Sequence, residues 1–377
     1  MNRRRSAVAS GLLALLLLLS SCAGSDDASD PPYPEATRQQ LAAAIDQEIA
    51  AKNLPGAVVG VWQPGFAPYV VARGSADLAG GRAREAGDPF RIASISKTFI
   101  GTAALLLVDR GQLSLSDTLD KWYPAFPKAG RITVEHLLRM RSGIPDSADR
   151  AFLAEYYADP LLALDAEAMI ARSAARGAES IEPGTVTRYT NVNFILLERI
   201  VEKVSGTDIR TFLQRNVFDP LGLRRTSYPR DAALDSPLRG YSFEAASGRL
   251  VDRTRLNPVP AGGAGALVST LDDLHVYARA MCGGGLLSAP LQAARLAPTV
   301  LDGEPAFVGY GLGVSRLGRL CGHNGTIFGF SSEMWYLPER DAVIVVSVNR
   351  LDLDDASKSF DLFARVSRIL FPELVPW

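Results

Sequence analysis

The chain has 377 residues, 47% of them hydrophobic, and 40 lysines and arginines against 41 aspartates and glutamates give a formal net charge of −1. This is the composition of a globular protein of two or so folding units, and the balanced charge gives no reason to expect a nucleic-acid partner. Lysine is scarce, six residues against thirty-four arginines, so a lysine in an unusual setting stands out.

The first residues, "MNRRRSAVASGLLALLLLLSSCAGS", place three arginines before an apolar run and then small residues. That is the pattern of an export signal, too short and wrongly flanked for a comfortable bilayer span. "LSSC", ending at Cys22, resembles the lipobox of bacterial lipoprotein precursors. The resemblance implies a signal peptide over 1–21 and a lipidated Cys22 as mature N-terminus. It also implies a membrane anchor facing the cell wall, held by two or three acyl chains. The alternatives are a cut near Ala23 without lipid, or an uncleaved anchor. Residues 22–34 read as a polar, proline-containing tether.

From Glu35 onward the pattern becomes periodic. "TRQQLAAAIDQEIAAKNL" has helical spacing and stops before Pro55, and "GAVVGVW" and "YVVARGSAD" read as a hairpin. "SISKTFIGTAALLLVDRG" predicts a helix with Ser94 as N-cap, apolar nearly all round and therefore buried. "TVEHLLRMRSG", "DAEAMIARSAARG", "NVNFILLERIVEKVSG", "DIRTFLQRNVF" and "STLDDLHVYARAMCGG" each carry a helical rhythm, the last capped by Thr270. "YGLGVSRL", "RLCGHNGT", "SSEMWYLP" and "AVIVVSVNR" read as strands before a closing helix, "FDLFARVSRILF". The order predicts an α/β (α+β) fold in which N- and C-terminal strands build one antiparallel sheet flanked by helices. One hydrolase domain would then span 35–377, its α/β part about 35–115 and 266–377 and its helical insertion about 116–265.

"FRIASISKTF" holds the chemistry. Ser94 and Lys97 are three residues apart, hence neighbours on one helix face, and the unpaired N–H groups of a helix start favour negative charge. A serine hydroxyl needs a base to become a nucleophile. Lowering a lysine by about three pKa units costs roughly 4 kcal/mol, and burial in the apolar run that follows supplies shifts of that order.

Two further stretches join it: "RYTNVNF", with Tyr189 and Asn191, and "CGHNGT", with His323, Asn324, Gly325 and Thr326. Ser-x-x-Lys, Tyr-x-Asn and His-x-Gly in this order resemble the class C–like branch of the serine β-lactamase and D-alanyl-D-alanine carboxypeptidase superfamily. The likeness runs over roughly residues 35 to 370. It implies Ser94 as acyl-accepting nucleophile, with Lys97 and Tyr189 sharing its proton, either one being the base. Asn191 would bind the acyl-side amide, and the His323–Gly325 segment would be an edge strand lining the site. The N–H groups of Ser94 and Thr326 would form the oxyanion hole. The implied substrates are a peptidoglycan stem peptide, a β-lactam or an ester. Relatives commonly carry a hydroxyl residue where Asn324 stands, so the departure at Asn324 favours an esterase or another amidase.

Cys282 and Cys321 remain once Cys22 is set aside, either as one disulfide in an oxidising compartment or as two buried thiols. No metal or cofactor is expected. The three histidines are scattered, no His-Glu-x-x-His occurs, and the glycine-rich stretches lack a phosphate-loop lysine. Gly-x-Ser-x-Gly is missing too, which argues against a lipase-type triad. The rival from another class is a non-catalytic envelope lipoprotein that keeps the fold and binds wall fragments or penicillins.

Overall fold

The computed structural model describes residues 30–352 and 354–377. The predicted signal peptide, Cys22 and most of the tether lie outside the described residues. A nine-stranded antiparallel sheet is the frame. Its strands are β1 (Gly56–Trp62), β2 (Tyr69–Asp77), β3 (Arg82–Ala83), β4 (Thr299–Val300), β5 (Val308–Tyr310), β6 (Ser315–Leu317), β7 (Leu320–Ile327), β8 (Phe330–Leu337) and β9 (Ala342–Val348). They lie in the order β3-β2-β1-β9-β8-β7-β6-β5-β4. The two ends of the chain meet where β1 pairs with β9, Val59 opposite Val346.

The helices that position the site are α1 (Glu35–Ala51), α2 (Ser96–Asp109), α3 (Arg150–Ala158), α4 (Ala166–Ala175), α5 (Val192–Ser205), α6 (Leu271–Gly283) and α7 (Lys358–Leu370). β1 and β9 are buried along their whole length because both sheet faces are covered. Ala57, Val59, Val61, Ile344 and Val346 pack under α1 and α7, against Leu41, Ile45, Leu362 and Phe363. Val58, Trp62, Val343 and Val345 face the other way, into the core shared by α2, α5 and α6. Each valine, leucine, isoleucine or phenylalanine among them, fully buried, contributes roughly 1.5–3 kcal/mol, so the alternation holds the layers together.

Several expectations change in detail. The sheet has nine strands rather than six, because short pieces such as β3 and β4 carry too few residues to show a period. The helices α3 and Ala289–Leu296 and the hairpin Tyr241–Glu244/Arg249–Asp252 were not foreseen. The helix read in "TVEHLLRMRSG" ends at Leu138; Met140 turns left-handed (φ +58°), and the chain swings back toward Asn191. "DIRTFLQRNVF" is α-helical only to Leu213 and then widens into a π-turn, with the Asn216 side chain taking the Phe212 carbonyl. Cys282 at the end of α6 and Cys321 on β7 are joined as a disulfide, their Cα atoms 6.0 Å apart.

Candidate active site

Ser94 is not the cap of α2. It lies in a single 3₁₀ turn, Ala93–Ile95, that runs into α2 at Ser96, and no side chain caps the helix. Ala93 sits at φ +49°, a left-handed conformation that a non-glycine residue adopts at a cost of about 1–2 kcal/mol. The Ser94 hydroxyl is bound one turn on, by Lys97 Nζ at 2.9 Å. Lys97 is fully buried, because α2 threads the middle of the molecule. Gly101 makes that depth possible: a Cβ there would stand 2.9 Å from the Cα of Gly313.

Lys97 Nζ has two further partners, the Oδ1 of Asn191 and the carbonyl oxygen of Ala264, each at 2.8 Å. Burial lowers its ammonium from 10.5 to about 7, with Asp146 pulling the other way. Both oxygens only accept, so the neutral amine spends its two N–H groups on them and keeps its lone pair for the one partner that can donate, the Ser94 hydroxyl.

Tyr189 stands across the cleft, its ring centroid 4.8 Å from Lys97 Nζ. Desolvation raises the phenol above its usual value, while the neighbouring Ser94 side chain opposes the rise. The phenol therefore keeps its proton at neutral pH.

Thr326 comes from β7. β6 covers only Leu320–Gly322 of that strand, so from His323 onward one side of β7 is free and runs along the Ser94 segment. β7 is interior by its place in the sheet and an edge only in this half. A Cβ on Gly325 would come within 2.1 Å of the Ile92 carbonyl oxygen, so the strand closes on the Ser94 turn only with glycine there.

His323 is buried behind Tyr189, its ring centroid 6.0 Å from that of the tyrosine. Its Nδ1 lies 2.6 Å from the Asn324 carbonyl oxygen and therefore carries the proton, leaving Nε2 to accept from the Tyr310 hydroxyl at 3.2 Å. Burial, then the nearby Lys97, lower it to about 3, so it is neutral throughout the physiological range. Asn324 is exposed and is not part of the cavity wall.

The cavity beside Ser94 has a volume of about 270 Å³. Its wall is mainly apolar, including Phe152, Tyr156, Met169, Ile195, Phe328 and Leu351, and it also takes in Ser94, Asn191 and Thr326. Among the described residues no cation lines it. Asp352, the charged side chain on the wall, is neutralised by Arg350 and Lys358.

Sequence reasoning missed the residues that hold Lys97's partners. Asp146 receives the Asn191 backbone N–H at 3.0 Å and the Asn191 Nδ2 at 2.8 Å. Glu198 on α5 accepts from the Gly263 N–H and from the Tyr228 hydroxyl, fixing the turn that offers the Ala264 carbonyl. The signal for Asp146 is the Gly-Ile-Pro-Asp turn that follows a helix; nothing local marks Glu198. His136 forms a capping box with Thr133, and His275 stacks on Trp62, so neither serves the site. Among the described residues no cluster of side chains fits a metal ion.

Comparison with known families matches residues 41–364 to the one described as Beta-lactamase. The chain belongs to the beta-lactamase family. It is therefore a member of the serine hydrolase group that includes penicillin-binding protein homologues. Penicillin-binding protein 4* of Bacillus subtilis (strain 168) is 28% identical over 298 residues, 74% of this chain and 65% of that protein. A D-aminopeptidase of Brucella canis is 28% identical over 305 residues, 78% of this chain and 56% of that protein. The chain spans less than two-thirds of the length of these curated relatives. A D-stereospecific amidohydrolase from Streptomyces superposes with a TM-score of 0.77 at 28% identity, over 89% of this chain and 98% of that one. The D-amino acid amidase from Ochrobactrum anthropi SV3, complexed with L-phenylalanine amide, gives 0.78 at 24% identity over 89% and 97%, a likeness of fold alone.

Proposed function

We propose that the protein hydrolyses amides or esters of apolar acyl groups through a covalent acyl-enzyme on Ser94. The observation that carries this reading is the Lys97 environment: a buried amine, near neutral pKa, whose lone pair is directed at the Ser94 hydroxyl by two carbonyl acceptors. In this reading Lys97 takes the Ser94 proton as the oxygen attacks the carbonyl. The developing oxyanion is received by the N–H groups of Ser94 and Thr326, each such donor being worth about 10²–10³ in rate. Tyr189 gives its proton to the leaving nitrogen or oxygen and is reprotonated as water attacks the acyl-enzyme.

The substrate class is read from the cavity. An apolar, partly aromatic wall without a cation suits an acyl group with a bulky apolar side chain. A terminal carboxylate finds no charged partner there, because His323 is neutral with both nitrogens engaged. A D-aminopeptidase and D-stereospecific amidohydrolase among the relatives make a D-aminoacyl amide the substrate of first choice. A D-alanyl-D-alanine carboxypeptidase or β-lactamase activity is the second reading, favoured by the Penicillin-binding protein 4* relative.

The test is intact mass and turnover with D-phenylalanine amide, a D-Ala-D-Ala peptide, benzylpenicillin and a p-nitrophenyl ester. Turnover of the amide, lost in Ser94→Ala, is expected. Reversible binding without any acylation would reduce the protein to a receptor on a hydrolase fold.

We further propose export and lipid anchoring at Cys22. The basic and apolar N-terminal pattern supports it, and so does the Cys282–Cys321 disulfide, a bond of oxidising compartments. Incorporation of an alkynyl fatty acid, absent in Cys22→Ala, checks it.

A further inference from the structure

We propose that Asp146 is a positioning residue: it locks the Asn191 carboxamide with its oxygen toward Lys97 and so keeps the Lys97 lone pair on Ser94. The inference rests on the acyl-enzyme reading above. It starts from a symmetry problem. The two ends of a carboxamide are nearly the same shape, so packing alone does not decide which end faces Lys97.

Hydrogen bonding does decide it. One Asp146 oxygen takes the Asn191 backbone N–H and the other takes Nδ2, so Oδ1 is left for Lys97 Nζ at 2.8 Å. A flipped carboxamide would set its oxygen against the carboxylate and aim an N–H at the lysine. That N–H would donate to the Lys97 lone pair and occupy the very electrons that must receive the Ser94 proton. Asp146 itself does not line the cavity, so it acts through Asn191 rather than on substrate. It is anchored in turn, since its own carbonyl oxygen accepts from Arg176 at 2.9 Å.

The same carboxylate is the charge that Lys97 feels. Tyr189 from the loop before α5 and His323 from β7 are the other titratable groups facing the amine, and both stay neutral near pH 7. Ser94, Asn191 and the Ala264 carbonyl carry no charge. Asp146 favours the ammonium and partly offsets its desolvation.

Asp146→Asn is the test, because it keeps the shape and removes the charge and one acceptor. We expect kcat to fall about ten- to a hundred-fold, the range of a hydrogen bond to a charged group, with KM little changed. The acidic limb of kcat/KM moves to lower pH. Asp146→Glu keeps the charge but displaces it, so kcat falls while the limb stays. In an Asn191→Ala background the Asp146→Asn loss disappears, since the group it orients is gone. A role confined to holding the loop would instead lower the melting temperature, leave the limb in place and add to Asn191→Ala. Wild-type kcat and an unmoved limb in folded Asp146→Asn overturn the proposal, as does full additivity. If Asp146→Asn does not fold, the kcat, limb and additivity of Asp146→Glu decide instead. Activity surviving in Ser94→Ala would strike at the acyl-enzyme reading, not at this one.

Discussion

A Cβ placed on Gly325 would stand 2.1 Å from the carbonyl oxygen of Ile92, two residues before the proposed nucleophile. That contact sets how closely β7 approaches the Ser94 turn, and so where the Thr326 N–H lies relative to an oxyanion. Gly325→Ala must push the strand and the turn apart. Because the obstacle is the buried backbone of Ile92, which cannot swing aside as a side chain can, the expected outcome is a loss of about 100-fold or more in kcat, with a lower melting temperature. Steady-state kinetics at a temperature where the variant is folded checks it.

The Lys97 ammonium, lowered to about 7, predicts the acidic limb of the rate profile. In the proposed mechanism the free amine is the base, so kcat/KM is expected to rise as pH increases through about 7 and to be lost below it. No limb from Tyr189 is expected near neutrality, because desolvation holds the phenol protonated. A kcat/KM profile from pH 5 to 9 measures this; a flat profile would contradict Lys97 as the base.

The same shift carries a sign for stability. The unfolded chain binds the Lys97 proton up to about 10.5 and the folded chain only to about 7, so this group makes stability rise with pH between those values. Below 7 the folded protein bears a buried ammonium. Lys97→Met removes that burden and abolishes turnover. Its melting temperature relative to wild type is therefore highest at pH 6 and declines as pH rises toward 10, measured by thermal denaturation at matched salt.

His323 is expected to stay neutral from pH 5 to 9, because its folded value is about 3 and both ring nitrogens are bonded inside the protein. Its ring protons then show no titration shift by NMR over that range. In parallel, converting a neutral amide substrate to one ending in a carboxylate raises KM, since no cation lines the cavity. Equal KM for the two would contradict the reading of the cavity.

The Cys282–Cys321 bridge ties the end of α6 to the strand that carries Thr326, across a sequence separation of 39. A loop of that length corresponds to roughly 4 kcal/mol of chain entropy removed from the unfolded state. The double variant Cys282→Ser/Cys321→Ser should lose stability of that order in denaturant unfolding. Its kcat/KM at low temperature should change far less, since the bridge lies outside the cavity wall.

The sequence by itself determined the layers of this protein. The period-2 and period-3.6 patterns are local, and they placed β1, β2, β7, β8, β9 and the helices α1, α2 and α5 close to where they lie. The resemblance of Ser-x-x-Lys, Tyr-x-Asn and His-x-Gly, in that order, to a known family nominated Ser94, Lys97, Tyr189 and Asn191; the spacing alone marks only that Ser94 and Lys97 share one turn. Tertiary structure alone decided how those groups are wired. Asp146 is 45 residues from Asn191, Glu198 is 65 from Gly263, and Ala264 is 167 from Lys97. Hydrogen bonds over such separations leave no periodicity in the chain. The left-handed Ala93 and the early end of the helix at Leu138 were hidden for the same reason: packing against β7 and α5 imposes them, and local propensity does not. The pKa of Lys97 is the clearest case. Its value belongs to the burial that α2, α5 and the Ala264 turn create together, and no stretch of residues carries it alone.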